Sequence, residues 1–274
     1  MPKELDDWHA QVGGFVARPN FDTYAEKYAD YFVMQRRNGI IELRMHTDGG
    51  PARFGFAMHN AWAQAWQEIG NDPDNEVLIL TGTGDQWLGV PDPTGAGPAD
   101  ATRPKDFAYE HGFYDMTKLL ENFVFGIDIP TIAAINGPSI AHTEFALLSD
   151  ITLAAETATI IDPHLLAGSA PGDGQQLTLQ ELIGTKRAAY HLYTGLPIGA
   201  QQALELGLVN EVLPADRLLP RAWELAEMIV SRPRTARRLT HAIAQRPWKR
   251  RLVQDLGFGA AHEAFGLYAD GIMH

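Results

Sequence analysis

The chain of 274 residues contains no cysteine. That excludes disulfides, thiol nucleophiles and thiolate metal ligands. Positive charge is scarce. Only 22 Lys and Arg stand against 34 Asp and Glu, and the net charge is −12. The longest basic run is Lys249–Arg251. Nucleic acid and anionic membrane are therefore poor partners. No apolar run approaches the ~18 residues of a membrane-spanning helix. Met1–Gly14 has neither an apolar core nor a cleavage pattern, so no signal peptide is expected. These absences leave a cytoplasmic protein as the expectation. The hydrophobic content of 45% fits a globular chain with a sizeable core. The length allows two domains or one large α/β domain.

Residues 1–30 are charged and weakly periodic, and read as a loosely held arm. Two apolar runs flank Arg37-Asn38-Gly39, which predicts a hairpin. Met58, Trp62, Trp66 and Ile69 share one helical face. Glu76–Gly84 reads as a buried strand entering a glycine turn, and Asp92–Lys105 as a loop. Gly112–Phe125 is in helical register. Pro130–Gly137 is a buried strand, and Asp150–Asp162 holds two short ones. After Gly174 the pattern is helical, with glycines at the ends of short helices. Leu208–Pro214 interrupts it as a short strand. Amphipathic helices follow at Arg221–Val230 and Thr235–Gln245, with breaks at Pro233 and Pro247. The pattern predicts an α/β core at 31–195 and a helical region at 196–274.

Three blocks carry a family likeness. Leu80–Asp92 (LTGTGDQWLGVPD), Ile129–Asp150 (IPTIAAINGPSIAHTEFALLSD) and Leu192–Pro214 (LYTGLPIGAQQALELGLVNEVLP) together resemble the crotonase (enoyl-CoA hydratase/isomerase) superfamily. The resemblance implies a spiral of ββα turns, a C-terminal helical trimerisation region, and a homotrimer or dimer of trimers. The departures narrow it. Ala141-His142-Thr143 stands where thioester-using members carry glycines. His164 follows Pro163 where those members have a catalytic glutamate. Asp173 replaces a small residue. With His59 and Glu263, this set resembles the β-diketone hydrolase branch typified by 6-oxocamphor hydrolase. Phe54 stands where that branch uses a tryptophan to bind a substrate carbonyl, so a hydrogen-bond donor is lost.

The implied reaction is retro-Claisen hydrolysis of a cyclic 1,3-diketone to a keto acid. It needs an activated water, an oxyanion site, an enolate leaving group and a proton for that enolate. The second carbonyl is the electron sink, so no cofactor and no metal is expected. No Cys/His or acidic cluster has metal spacing either. His164 suits the general base, since imidazole titrates near ~6.5. Asp173 is expected on its second nitrogen, fixing the tautomer; an N-cap for the helix that follows is its other reading. His142 lies on a turn into a helix, whose free N–H groups favour negative charge. Its ring is expected to donate to a carbonyl or enolate oxygen. Gly89 and the residues around His142 are candidate backbone oxyanion donors. Glu144 is expected to orient its neighbours. Glu263 is a site residue or a solvated helix residue, His59 is core or pocket, and Trp87 is pocket wall or packing. Phe54 and Phe145 are apolar pocket candidates. No basic residue near the motifs is expected to hold a coenzyme A phosphate. Two other classes compete: an acyl-CoA-using hydratase, isomerase or thioesterase, and a catalytically silent scaffold.

Overall fold

The computed structural model describes residues 18–90, 109 and 113–269. The loop expected at Asp92–Lys105 lies outside them. So does most of the N-terminal arm. The remainder of that arm departs from expectation. Phe21–Lys27 forms helix α1, with Tyr24 fully buried and its hydroxyl donating to Asp72 at 2.9 Å. An aromatic inside the core ties this segment down from Phe21 onward.

Strands β1 (Phe32–Arg37) and β2 (Ile40–Met45) pair antiparallel across Asn38-Gly39. Both turn residues have positive φ, 53° and 77°, as a two-residue hairpin turn of type I′ requires. Strands β3 (Val77–Gly82), β4 (Thr131–Ile135) and β5 (Ile151–Ala155) then add in parallel. A short pair, β6 (Thr159–Ile160) and β7 (Ile198–Gly199), forms a second sheet. Strand β8 (Glu211–Leu213) closes the main sheet beside β5. The region expected to be a helical appendage thus contributes a strand to the core.

The strands are apolar on both faces because both faces are covered. Leu78, Leu80, Ala133 and Ile135 face the cluster that holds Trp62, Trp66 and Phe145. Val77, Ile79, Ile132 and Ala134 alternate with them and pack on Leu218, Ala222 and Ala226 of the helix Ala215–Val230. That helix begins six residues before the amphipathic pattern suggests. Pro247 does not break the chain. It is the second residue of the helix Arg246–Ala269, where a missing N–H costs nothing.

The chain winds in ββα turns. Strands β2, β3, β4 and β5 are each followed by a short extended segment and, later, a helix. The extended segments bridge one another in parallel: Arg53 with Gly89, Leu88 with Ser139, Ser139 with Ile160. Helices Phe56–Asn71, Asp115–Glu121, Glu144–Leu148 and Gln175–Ile183 complete the four turns. Phe54, His142 and His164 all lie shortly after such a bridging segment. Among the described residues no helix is long and apolar enough to cross a membrane.

Candidate active site

His142 sits on the third spiral turn with φ of 51°. A left-handed backbone suits glycine best, and His142 adopts it at a small steric cost. The turn is braced from both sides. Trp87, fully buried, donates from Nε1 to the His142 carbonyl at 3.1 Å, and the Ser139 and Thr143 hydroxyls bond each other. Both ring nitrogens are engaged. Nδ1 lies 2.6 Å from Glu144 Oε1, and Nε2 lies 2.6 Å from His59 Nε2. Burial presses the His142 pKa down, but the Glu144 carboxylate, with Asp173 behind it, lifts it net above 6.5. His59 goes the other way. Burial and then the charge of His142 hold it well below 6.5, so it is the neutral partner. Burial also raises Glu144 above the usual carboxylate range, against the pull of His142. The spare donor expected on His142 is therefore occupied. A substrate oxygen reaches His142 Nε2 only by displacing His59. The helix behind this turn has 5 residues, so its dipole is a minor contributor.

His164 is the centre of a second cluster. Its Nδ1 lies 2.9 Å from Asp162 Oδ1. Its Nε2 lies 3.4 Å from Asp173 Oδ2 and 3.5 Å from Glu263 Oε1. Burial would lower the His164 pKa. The charge of Asp173, then hydrogen bonds to Asp162, Asp173 and Glu263, carry it well above 6.5. Burial would raise Asp173, but the His164 charge and hydrogen bond hold it below the usual range. Glu263 stays raised, because burial outweighs its hydrogen bond to His164 and Asp173 adds repulsion. Asp173 also accepts the Gln175 N–H at 3.4 Å, so it meets the turn before the next helix as well. Asp173 thus meets one ring nitrogen of His164, as expected of that pair, and Asp162, which was not expected, meets the other.

Glu263 reaches this cluster from the terminal helix through a close backbone approach. A Cβ on Gly172 would stand 2.2 Å from the Gly259 carbonyl oxygen, and one on Gly259 would stand 2.7 Å from the Gly172 oxygen. Only glycine at both positions lets helix and loop touch. Phe54 walls the first cluster, with its ring centroid 4.5 Å from His59 and 5.3 Å from His142. Phe145 is fully buried against Trp62, Trp66 and Phe123, so it packs the core behind His142. The Gly89 amide donates to the Ala52 carbonyl at 2.8 Å. It is spent in the bridge between spiral turns and is not available to an oxyanion. Arg53, bridged to Gly89, helps line a cavity of about 370 Å³ with Asp48, Gln86 and Val90. A basic residue therefore does stand beside the motif, ion-paired to Asp48 at 3.2 Å.

Sequence reasoning missed Asp162. Its signal was present as Asp162-Pro163-His164, a carboxylate two residues before an imidazole. Glu144 stands in the mirror-image relation, two residues after His142. Two groups among the described residues have donor types for a divalent ion: His142, Glu144 and Asp173, and His164, Asp173 and Glu263, each within 4.8 Å. An ion there must displace the proton that the carboxylates help hold on His164 or His142.

The comparisons agree with this fold. The enoyl-CoA hydratase/isomerase family profile matches residues 35–262. A crotonyl-CoA hydratase from Syntrophomonas wolfei is 30% identical over 201 residues, covering 73% of this chain and 74% of that protein. A carnitinyl-CoA dehydratase from Salmonella paratyphi A is 30% identical over 200 residues, covering 71% and 73%. Among solved structures, a β-diketone hydrolase from the cyanobacterium Anabaena, bound to (S)-3-oxocyclohexyl acetic acid, superposes with a TM-score of 0.83. It is 37% identical and covers 91% of this chain and 97% of its own. An enoyl-CoA hydratase/isomerase from Mycobacterium paratuberculosis shares the fold at a TM-score of 0.77 and 24% identity, covering 86% of this chain and 93% of its own. With the spiral, its bridged turns and a profile spanning most of its length, the chain belongs to the enoyl-CoA hydratase/isomerase family.

Proposed function

We propose that this protein is a β-diketone hydrolase, which opens a cyclic 1,3-diketone to a keto acid. The observation that carries the reading is the His164 cluster. An imidazole with one nitrogen on a buried carboxylate and the other beside two more is built to take and return a proton. The likeness to the Anabaena hydrolase at 37% identity supports it.

In this reading neutral His164 takes a proton from water through Nε2, and the water oxygen adds to one carbonyl carbon. The carbon–carbon bond breaks, and its electron pair becomes the enolate of the second carbonyl. The imidazolium then gives its proton to the enolate carbon. One water is consumed and a carboxylic acid is formed. Asp173, ionised beside Nε2, stabilises the imidazolium between these steps. His142, after displacing His59, donates to the enolate oxygen, where the charge develops. The route requires neither metal nor cofactor.

The test follows diketone absorbance with wild type and His164→Ala. Wild-type turnover reduced about 10²–10⁴-fold in the variant, the usual worth of a general base, supports the assignment. Intact cleavage by the variant refutes it. Thioester chemistry remains the second reading, favoured by Arg53 at the cavity beside Gly89 and by the 30%-identical hydratase. We further propose a homotrimer or dimer of trimers. Leu239, Ile243, Val253, Phe258 and Phe265 are exposed on the last two helices, as an unpaired interface would be. Light scattering at the mass of one chain would contradict this.

A further inference from the structure

We propose that Asp162 is the positioning residue of His164: it fixes the ring's orientation and places the neutral proton on Nδ1, leaving Asp173 and Glu263 to the Nε2 side. The inference rests on the hydrolase reading for its catalytic consequence, though not for its geometry.

Asp162 Oδ1 accepts two hydrogen bonds, and both come from one residue. The His164 backbone N–H donates at 3.1 Å and ring Nδ1 lies at 2.9 Å. Pro163 between them has no N–H to offer and a fixed φ, so the carboxylate and the imidazole form a closed two-residue clasp. The Asp162 side chain is fully buried, and its Oδ2 has no partner among the described residues. The backbone bond is an Asx turn that shapes the loop, and among the described residues the only other partner of the carboxylate is the His164 ring.

The contact distances favour one tautomer. A neutral imidazole carries one N–H. Placed on Nδ1, it points at the Asp162 carboxylate, and Nε2 keeps its lone pair for water, with Asp173 and Glu263 at the longer distances of 3.4 and 3.5 Å. Placed on Nε2, it points at Asp173 and Glu263, and the Nδ1 lone pair faces Asp162 at 2.9 Å with no proton between them. The shorter contact and its shared backbone anchor favour the first arrangement. His142 repeats the design. Glu144, two residues away, holds its Nδ1, while Nε2 meets His59. Both imidazoles are thus clamped on Nδ1 by a neighbour in sequence, and a base at Nε2 needs that clamp.

Selective ¹⁵N-histidine NMR tests this, with His164 assigned by the loss of its signals in His164→Gln. Above the His164 pKa, wild type should show a protonated Nδ1 and a lone-pair Nε2. Asp162→Asn should keep that tautomer, because its amide oxygen still accepts. Asp162→Ala should shift the proton toward Nε2. The groups facing His164 that remain in both variants are Asp173, Glu263 and His142. With one anion fewer, the acid limb of kcat/KM should move to lower pH in both. Asp162→Ala should lose about 10- to 100-fold in kcat, less than loss of the base itself, with KM changed less. Thermal melts establish that each variant folds, and Asp162→Asn preserves the test if the alanine variant does not. An Nε2-protonated ring in wild type overturns the proposal. So do unchanged tautomer and acid limb in a folded Asp162→Ala. If wild type cleaves no diketone, the hydrolase reading falls while the NMR result still decides the role of Asp162.

Discussion

The same proton on His164 should appear twice, in opposite directions. Three carboxylates stand within 3.5 Å of the ring. At an effective dielectric of ~20, one such pair attracts by about 5 kcal/mol gross. The Asp173 charge, with hydrogen bonds to Asp162, Asp173 and Glu263, outweighs the cost of burying the ion, so the folded protein holds the imidazolium well above pH 6.5. The unfolded chain releases that proton near ~6.5. A pKa raised on folding stabilises fully below the unfolded value, and that stability is lost as pH rises through the folded value. Between the two, unfolding free energy should fall by about 1.4 kcal/mol per pH unit. Catalysis requires the neutral ring, so kcat/KM should rise about tenfold per unit over the same window. The assay pairs urea melts with diketone kinetics at each pH, for wild type and His164→Gln. His142, Glu144 and Glu263 are also raised; the His164→Gln comparison removes the His164 share together with its coupling to Asp173, Glu263 and His142. Asp173→Asn should shift both transitions to lower pH. A kcat/KM already flat below pH 6, or a stability slope unchanged in His164→Gln, would refute the reasoning.

Three further outcomes are expected. Glu144→Gln keeps the shape and removes the charge that lifts His142, so kcat should fall about tenfold, the difference between charged and neutral hydrogen bonds; unchanged kcat with a folded protein would show that His142 does not act as a donor. Gly259→Ala should force the terminal helix off the Gly172 carbonyl by about 0.7 Å, costing roughly 1–3 kcal/mol in a melt and lowering kcat by drawing Glu263 from His164; a wild-type melt and kcat would contradict the close approach. Chelator treatment should leave diketone turnover intact, and a loss reversed by added metal would contradict the metal-free route.

Much of the fold was legible because its signals are local. Asn38-Gly39 dictates its own turn, and the 3.6-residue spacing of Met58, Trp62, Trp66 and Ile69 needs only one helix. The arm that holds Tyr24 and the break expected at Pro247 were misread, because their roles depend on a distant partner and on helix position. The site divides in the same way. The unusual residues at 142, 164 and 173 stood out against a glycine-rich pattern, and the structure gathers them. Their pairing was not legible. Which carboxylate meets Nδ1 depends on loop geometry, and the occupied state of His142 depends on His59, 83 residues away. Gly89 looked like an oxyanion donor until its amide was seen bonded to Ala52, a contact between two turns of the spiral that no local pattern encodes.

The central claim is carbon–carbon hydrolysis in a family matched by thioester hydratases. The most direct test is a side-by-side measurement of kcat/KM for a cyclic 1,3-diketone and a crotonyl thioester on the same preparation, with the diketone product formed in H₂¹⁸O. The account predicts diketone cleavage at an enzymatic rate, one ¹⁸O in the new carboxylate, and no thioester hydration above background. Hydration of the thioester at an enzymatic rate, with the diketone untouched, would contradict it.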